Sequence, residues 1–295
     1  MVSIVILNYN DAELTAAYAK RMAVMDCIDC VVVVDNCSPD DSFEKLKALD
    51  GGKIHVLKTD RNAGYASGNN FGLKYISRTF GEDGIAIISN PDIETDEAAV
   101  STIIKAMEAD ESIFAATGLI YNVRDELSPI FTWHLPTMAK LLANCSVLIR
   151  NMLYKLFGWG TRLKEGEFDF DAEKVNCEAL PGCFFAARMK ELMALDGFCE
   201  DTFLFYEEDI LFSKAAKRGL KSVILPKAHI RHLEGVSVKK SLNSWKKREK
   251  LMEESCRVYM RVALNKGRFA CAAYSIINRL LLPERYLFYR LKRVK

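Results

Sequence analysis

Four short β-rich runs constrain the fold of this chain more than any other feature: VSIVIL at 2–7, CVVVV at 30–34, IHVLK at 54–58 and IAIIS at 85–89. Stretches with helical apolar spacing separate them: Asp11 to Met25 with Asp11 as N-cap, Ser42 to Leu49, and Phe71 to Thr79. Strands that alternate with helices of about 10–15 residues predict a mainly parallel sheet with right-handed crossovers. The run Ile85 to Ser89 is continuously apolar and β-rich, as in a parallel sheet covered on both faces. Three of them end in a loop that carries Asn or Asp, at Asn8, Asp35 and Asp92. Those loops share the carboxyl rim, where open α/β sheets place their ligands.

The stretch IAIISNPDI is the sharpest of these endings. Pro91 cannot continue a central strand, so Asp92 sits just past a strand end. A carboxylate there is placed to hold a divalent cation against a diphosphate. The same tripeptide also serves as a plain turn ahead of the next predicted helix, Thr95 to Asp110. No GxGxxG follows the first run and no phosphate-loop lysine motif is present, so a bound diphosphate would be neutralised by a metal. Arg61 to Asn70 reads as a polar loop, and Phe114 to Ile120 as a further strand.

Residues 122–180 are less regular. Met138 to Phe157 has helical apolar spacing with Lys140, Arg150 and Lys155, and reads as a packed helix or one resting on lipid, with packing preferred. Phe168 to Glu178 reads as an acidic loop. The pattern sharpens at ALPGCFFAAR, a turn into a strand, followed by a helix from Met189 to Leu195. Glu207-Glu208-Asp209 opens a helix that runs to about Lys217, with Gly219 at C′. Acids in a first turn are favoured by the helix dipole, and a carboxylate at a pocket mouth can also act as a general base. His232 follows a strand at Val223 to Leu225. Aspartate, histidine and diphosphate oxygens together make a six-coordinate Mg²⁺ or Mn²⁺ site.

Charge is distributed unevenly along the 295 residues: 16 Lys+Arg against 4 Asp+Glu in residues 239–295, and 25 against 35 before them. A basic tail on an acidic body points to an anionic partner such as a membrane surface. The tail reads as a basic amphipathic helical region, with Tyr274, Tyr286, Phe288 and Tyr289 as candidate interface aromatics. Its apolar run Phe269 to Leu282 is interrupted by Asn278 and Arg279, too polar to span a bilayer. The opening MVSIVILNYN lacks the basic start of a signal peptide, and nine scattered cysteines fit reduced thiols; both predict a cytoplasmic protein, peripheral on the inner face of the plasma membrane if the tail binds lipid. No nucleic-acid-binding motif is seen.

VSIVILNYN, VVVVDNCSPDDS, RNAGYASGNN, SNPDI, PGCFFAAR, LDGFCEDTFLFYEED and HLEGVS occur in that order, and with them residues 2–240 resemble inverting glycosyltransferases of family 2, most closely the rhamnosyltransferase-like branch. The resemblance implies a GT-A fold with a Rossmann-like nucleotide half at 1–121, an acceptor and catalytic half at 122–238, and the extension 239–295. It implies that Tyr9 packs on the donor base with backbone from Leu7 and Asn8. Asp35 with Asn36 would read the pyrimidine edge. Asn62 and Gly64 would line the nucleotide pocket, with Asn69 supporting that loop. Asn90-Pro91-Asp92 stands where the family has Asp-x-Asp, so Asp92 would carry Mg²⁺ or Mn²⁺, completed by His232. Glu208-Asp209 matches the acidic pair, with Asp209 as base. Two positions depart from the pattern: Asn90 replaces the first acid, and Leu211 stands where the branch often has a further Asp.

The expected activity is transfer of a sugar from a dTDP- or UDP-linked donor to a saccharide or lipid-linked acceptor in cell-surface polysaccharide synthesis. The alternatives are a catalytically silent scaffold or carbohydrate-binding subunit, and a sugar nucleotidyltransferase. The latter would want a glycine- and lysine-rich phosphate loop near the first strand, which LNYNDAEL does not supply.

Overall fold

A computed structural model describes residues 1–163, 166–233 and 244–293. The first half is a parallel sheet of β1 (Val2–Asn8), β2 (Cys30–Asp35), β3 (Ile54–Lys58) and β4 (Ile85–Ser89), in the order β3-β2-β1-β4. Crossovers run through α1 (Ala12–Ala23), α2 (Ser42–Lys47) and α3 (Tyr65–Phe80). Asn8 pairs with Asp35 and Ile6 with Ser89, so the predicted loops do emerge on one rim. Helices on both faces bury Ile4, Ile6, Val31 to Val34, Ile87 and Ile88. Each such side chain contributes roughly 1.5–3 kcal/mol.

Beyond β4 the sheet is mixed rather than parallel. The chain enters β5 (Ile93–Glu94), α4 (Glu97–Ala109), β6 (Ile113–Tyr121), α5 (Met138–Asn144), α6 (Val147–Phe157), β7 (Val175–Cys177) and β8 (Phe184–Arg188). It continues through α7 (Met189–Ala194), α8 (Glu207–Lys217) and β9 (Lys221–His232). Strand β8 lies antiparallel between β4 and β6, while β9 runs parallel to β6 and takes β5 and β7 antiparallel. The irregular stretch before β8 replaces a helical crossover, which frees it to enter in the opposite sense.

Two local expectations differ from the structure. Residues 65–70 are helical, because Asn69 and Asn70 spend their amides inside the fold: Asn69 Nδ2 donates to Tyr65 O at 3.0 Å and Asn70 Nδ2 to Phe198 O at 2.8 Å. Strand β9 also continues past Pro226. A bulge between the Leu225 and His229 pairings carries the proline, which has no N–H to give, and pairing then resumes to His232.

The tail forms α9 (Trp245–Val262), α10 (Arg268–Leu280) and α11 (Leu282–Arg293). The boundary at 238/239 and residues 234–237 of HLEGVS lie outside the described residues. Cys256, Tyr259, Met260 and Tyr274 share a second apolar core with Leu141, Cys145 and Ile210. The Tyr259 hydroxyl donates to Pro136 O at 2.7 Å. Through Ile210 this core backs α8. Tyr274 is therefore a core residue, not an interface aromatic. All nine cysteines are free thiols, and no helix among the described residues is long and apolar enough to cross a membrane.

Candidate active site

Strand β5 determines where Asp92 goes. Ile93 pairs with His232, and Leu233 N–H donates to Asp92 O at 2.9 Å. The last residue of β9 is thereby brought against the turn that ends β4. His232 Nε2 lies 3.2 Å from Asp92 Oδ1. Yet Asp92 is only 3% exposed, and its Oδ1 is buried with no aligned hydrogen-bond donor. A buried carboxylate oxygen without a donor is costly, unless a ligand completes it. Burial works against the imidazolium of His232, but Asp92 and the adjacent Cys183 outweigh it and push its pKa up to about 10. Once the imidazolium gives up its proton, an anionic oxygen and an imidazole nitrogen at this separation fit a shared divalent cation. Among the described residues no three His, Cys, Asp or Glu side chains are grouped so as to hold a metal ion, so further ligands would have to come from outside the chain.

The acids stand at the start of α8. Phe205 and Tyr206 precede them with φ of 75° and 64°, a left-handed geometry that bulky residues rarely adopt. Such strain is held by surrounding structure and clusters at functional sites. It turns Glu207, Glu208 and Asp209 inward. Burial pushes the Asp209 carboxyl up to about 6, opposed by a hydrogen bond from Trp133 Nε1–H to Oδ1 at 2.9 Å. Glu207 and Glu208 are raised by burial and by their neighbouring acids. Glu207 Oε2 is buried without a partner.

One turn, Pro181-Gly182-Cys183, joins the two clusters. Asn90 N–H donates to Cys183 O at 2.8 Å on the Asp92 side. On the other side, the Glu208 carboxylate packs directly over Gly182, so a Cβ on residue 182 would have to push that side chain aside. The Tyr65 hydroxyl donates to Gly182 O at 2.7 Å. The Asp92 turn and the Glu208 side chain thus approach neighbouring residues of one turn. Asp209 follows Glu208 in the first turn of α8, and its carboxylate meets Trp133.

The nucleotide-half residues form an internal network. Asp35 Oδ1 accepts from Asn8 Nδ2 at 2.8 Å and from the Ser38 hydroxyl at 2.6 Å. Asn36 Nδ2 donates to Asn62 Oδ1 at 3.1 Å and Gly64 O at 3.2 Å. Asn8, Asp35, Asn36 and Asn69 are buried, and they hold the loops together, while Leu7, Tyr9, Asn62 and Asn90 stay partly open. Gly64 has φ +98°, and a Cβ there would stand 2.2 Å from Phe203 O. That close approach ties the 61–64 loop to the segment leading into α8.

Trp133, Tyr65 and the 181–183 turn are the site residues the sequence does not point to. Nothing in their spacing links them to position 209. Trp133 also lines a cavity of about 300 Å³ with His134, Glu167, Phe168 and Glu178. A cavity of about 360 Å³ between α3 and α7 is lined by none of the four acid and histidine residues.

No curated protein matches this sequence. Among solved structures, similarity extends to the mannosyltransferase PcManGT from Pyrobaculum calidifontis in complex with GDP-Man and Mn²⁺. Identity is 17%, coverage 96% of this chain and 72% of that one, and the TM-score 0.58. GalNAc-T7 with UDP, GalNAc and Mn²⁺ is similar at 16% identity and TM-score 0.60, over 88% of this chain and 47% of its own, so this chain spans about half of its length. A mycobacterial protein matches at 11% identity and TM-score 0.53, over 89% and 74%. At these identities the likeness is one of fold, and the fold is GT-A. The Glycosyl transferase family 2 model matches residues 3–155, just over half of the chain, and the protein belongs to that family of glycosyltransferases.

Proposed function

We propose that the protein is a metal-dependent inverting glycosyltransferase. It moves a sugar from a nucleoside diphosphate donor, dTDP-rhamnose or a UDP-hexose, to a saccharide or lipid-linked acceptor in surface-polysaccharide assembly. The observation that carries this is the buried Asp92 carboxylate with His232 Nε2 3.2 Å from its Oδ1, in a family 2 fold whose α8 opens with buried acids. Asp92 and His232 would hold Mg²⁺ or Mn²⁺, and the Mn²⁺ named with two solved glycosyltransferases supports that choice. When bound, such a cation supplies Lewis-acid stabilisation of the charge that develops on a departing diphosphate.

Asp209 is the general base. Its pKa of about 6 leaves it ionised at neutral pH yet basic enough to accept the acceptor's hydroxyl proton. Trp133 fixes one carboxylate oxygen and leaves the other for that proton. Glu208, against Gly182, supports the acid pair. Attack from the side opposite the departing group gives a single displacement with inversion. Tyr9 stacks on the base, with Leu7 and Asn8 backbone beside it. Asp35 and Asn36 read the pyrimidine edge, while Asn62, Gly64, Asn69 and Asn90 shape the loop and phosphate end. The Trp133 cavity receives the acceptor. Hydrolysis of a panel of nucleotide sugars with Mn²⁺ or Mg²⁺ tests the proposal: metal-dependent turnover of a dTDP- or UDP-sugar is expected. Absence of turnover together with absence of metal-dependent nucleoside diphosphate binding overturns it.

A further inference from the structure

Helix α10 is seated with its faces reversed. It buries Cys271, Tyr274, Ser275 and Asn278 against the second core. It turns outward Phe269, 95% exposed, Ile276, 60%, and Leu280, 73%. Those three recur at helical spacing and form one stripe. Scattered apolar residues on a surface need no account, but an ordered stripe opposite a partly polar buried face does.

Helix α6 repeats the pattern. None of its residues is buried, and Leu148, Met152 and Leu156 form an exposed stripe at four-residue spacing. Of the expected packed stretch 138–157, α5 buries Leu141, while α6 packs through a half-buried face that includes Leu153 and Tyr154. Helix α11, which follows α10, is joined to the start of α6. Glu284 of α11 accepts from Leu148 N–H at 2.9 Å and from the Ser146 hydroxyl at 3.0 Å, four residues after Leu280. Exposed cations flank them at Lys155 and Arg268, with Arg279 paired to Glu253 at 3.1 Å, and Trp159 lies just past α6.

We infer that α6 and α10 form a docking face for an anionic lipid bilayer, with Phe269, Ile276 and Leu280 entering the headgroup–acyl boundary. Charge selects this occupant. Residues 239–295 carry 16 basic against 4 acidic side chains, so a second copy would bring like charge to the same face. An anionic surface brings the opposite sign, and apolar insertion with basic flanks is how interfacial helices bind. Docking here does not depend on catalysis.

Flotation of the full chain with phosphatidylcholine vesicles, with and without phosphatidylglycerol, tests it, comparing wild type with F269S/I276S/L280S. These positions are exposed, and a thermal melt checks that the variant folds. Wild type is expected to float only with the anionic vesicles and less so at high salt. Each deleted large apolar side chain is worth about tenfold in partitioning when fully inserted, so the triple variant is expected to bind at least about tenfold more weakly. Wild type that stays in the aqueous fraction, or a folded triple variant that floats as well as wild type, overturns the inference. So does a wild-type dimer that the triple substitution converts to monomer without any flotation.

Discussion

Replacing Asp209 with Asn is expected to make the protein more stable while removing its activity. The Asp209 carboxyl sits at about 6 in the folded protein against an ordinary 3.8, because burial outweighs the Trp133 hydrogen bond. The folded state therefore holds this proton more tightly than the unfolded one. The sign follows from linkage: stability is intact below the unfolded pKa and is lost as pH rises through the folded one. The gap from 3.8 to about 6, at 1.36 kcal/mol per pH unit, amounts to about 3 kcal/mol of strain from ionised Asp209 at pH 8. Asn keeps an oxygen for Trp133 Nε1–H and carries no charge. Its neighbour Glu208 is relieved in the same direction, since Asp209 is among the charges that raise it. For a chain of this size, about 3 kcal/mol corresponds to roughly 6 °C in Tm. Calorimetry of the metal-free proteins near pH 8 and pH 4 is the assay, with the gain present at the first and absent at the second. Transfer falls by about 10²–10⁴. A variant of unchanged or lowered Tm at pH 8 refutes the electrostatic account of the acid cluster.

Further outcomes test other parts of the site. Trp133→Phe removes the donor that lowers the Asp209 pKa, and a hydrogen bond to a charged group is worth about 1.5–3 kcal/mol. The acidic limb of the pH–rate profile is expected to move up by about 1–2 pH units, whereas an unmoved limb would mean that Asp209 is not the group titrating. Gly64→Ala places a Cβ 2.2 Å from Phe203 O at φ +98°, so urea denaturation is expected to report a loss of about 2 kcal/mol or more, with weaker nucleotide binding. No loss would mean that the loop moves freely away from Phe203. His232→Ala is expected to remove Mn²⁺-dependent strengthening of UDP or dTDP binding in titration calorimetry while metal-free binding persists; retained dependence would place the cation elsewhere.

The parallel half of the fold was legible because β1, β2 and β4 are continuous apolar runs that can only be buried strands, and their ends carry Asn8, Asp35 and Asp92. The second half was less so. Residues 65–70 have turn composition, yet the side-chain amides of Asn69 and Asn70 donate inside the protein, to Tyr65 O and Phe198 O. Pro226 looks like a strand end, and only the bulge opposite Gly118–Leu119 lets β9 continue to His232. Trp133 reaches Asp209 across 76 positions, a contact no local pattern encodes. The tail misled in a different way. Tyr274 has the composition of an interface aromatic, but the second core claims it, and the face left outside belongs to Phe269, Ile276 and Leu280.

Crystals grown with Mn²⁺ and a uridine or thymidine diphosphate, measured at the manganese absorption edge, test the central claim most directly. The anomalous peak is expected within coordination distance of Asp92 and His232 and of the diphosphate, with the free Asp209 oxygen facing the same pocket. Manganese bound away from Asp92 and His232, or a nucleotide seated where Asp209 cannot face its diphosphate end, would contradict the account.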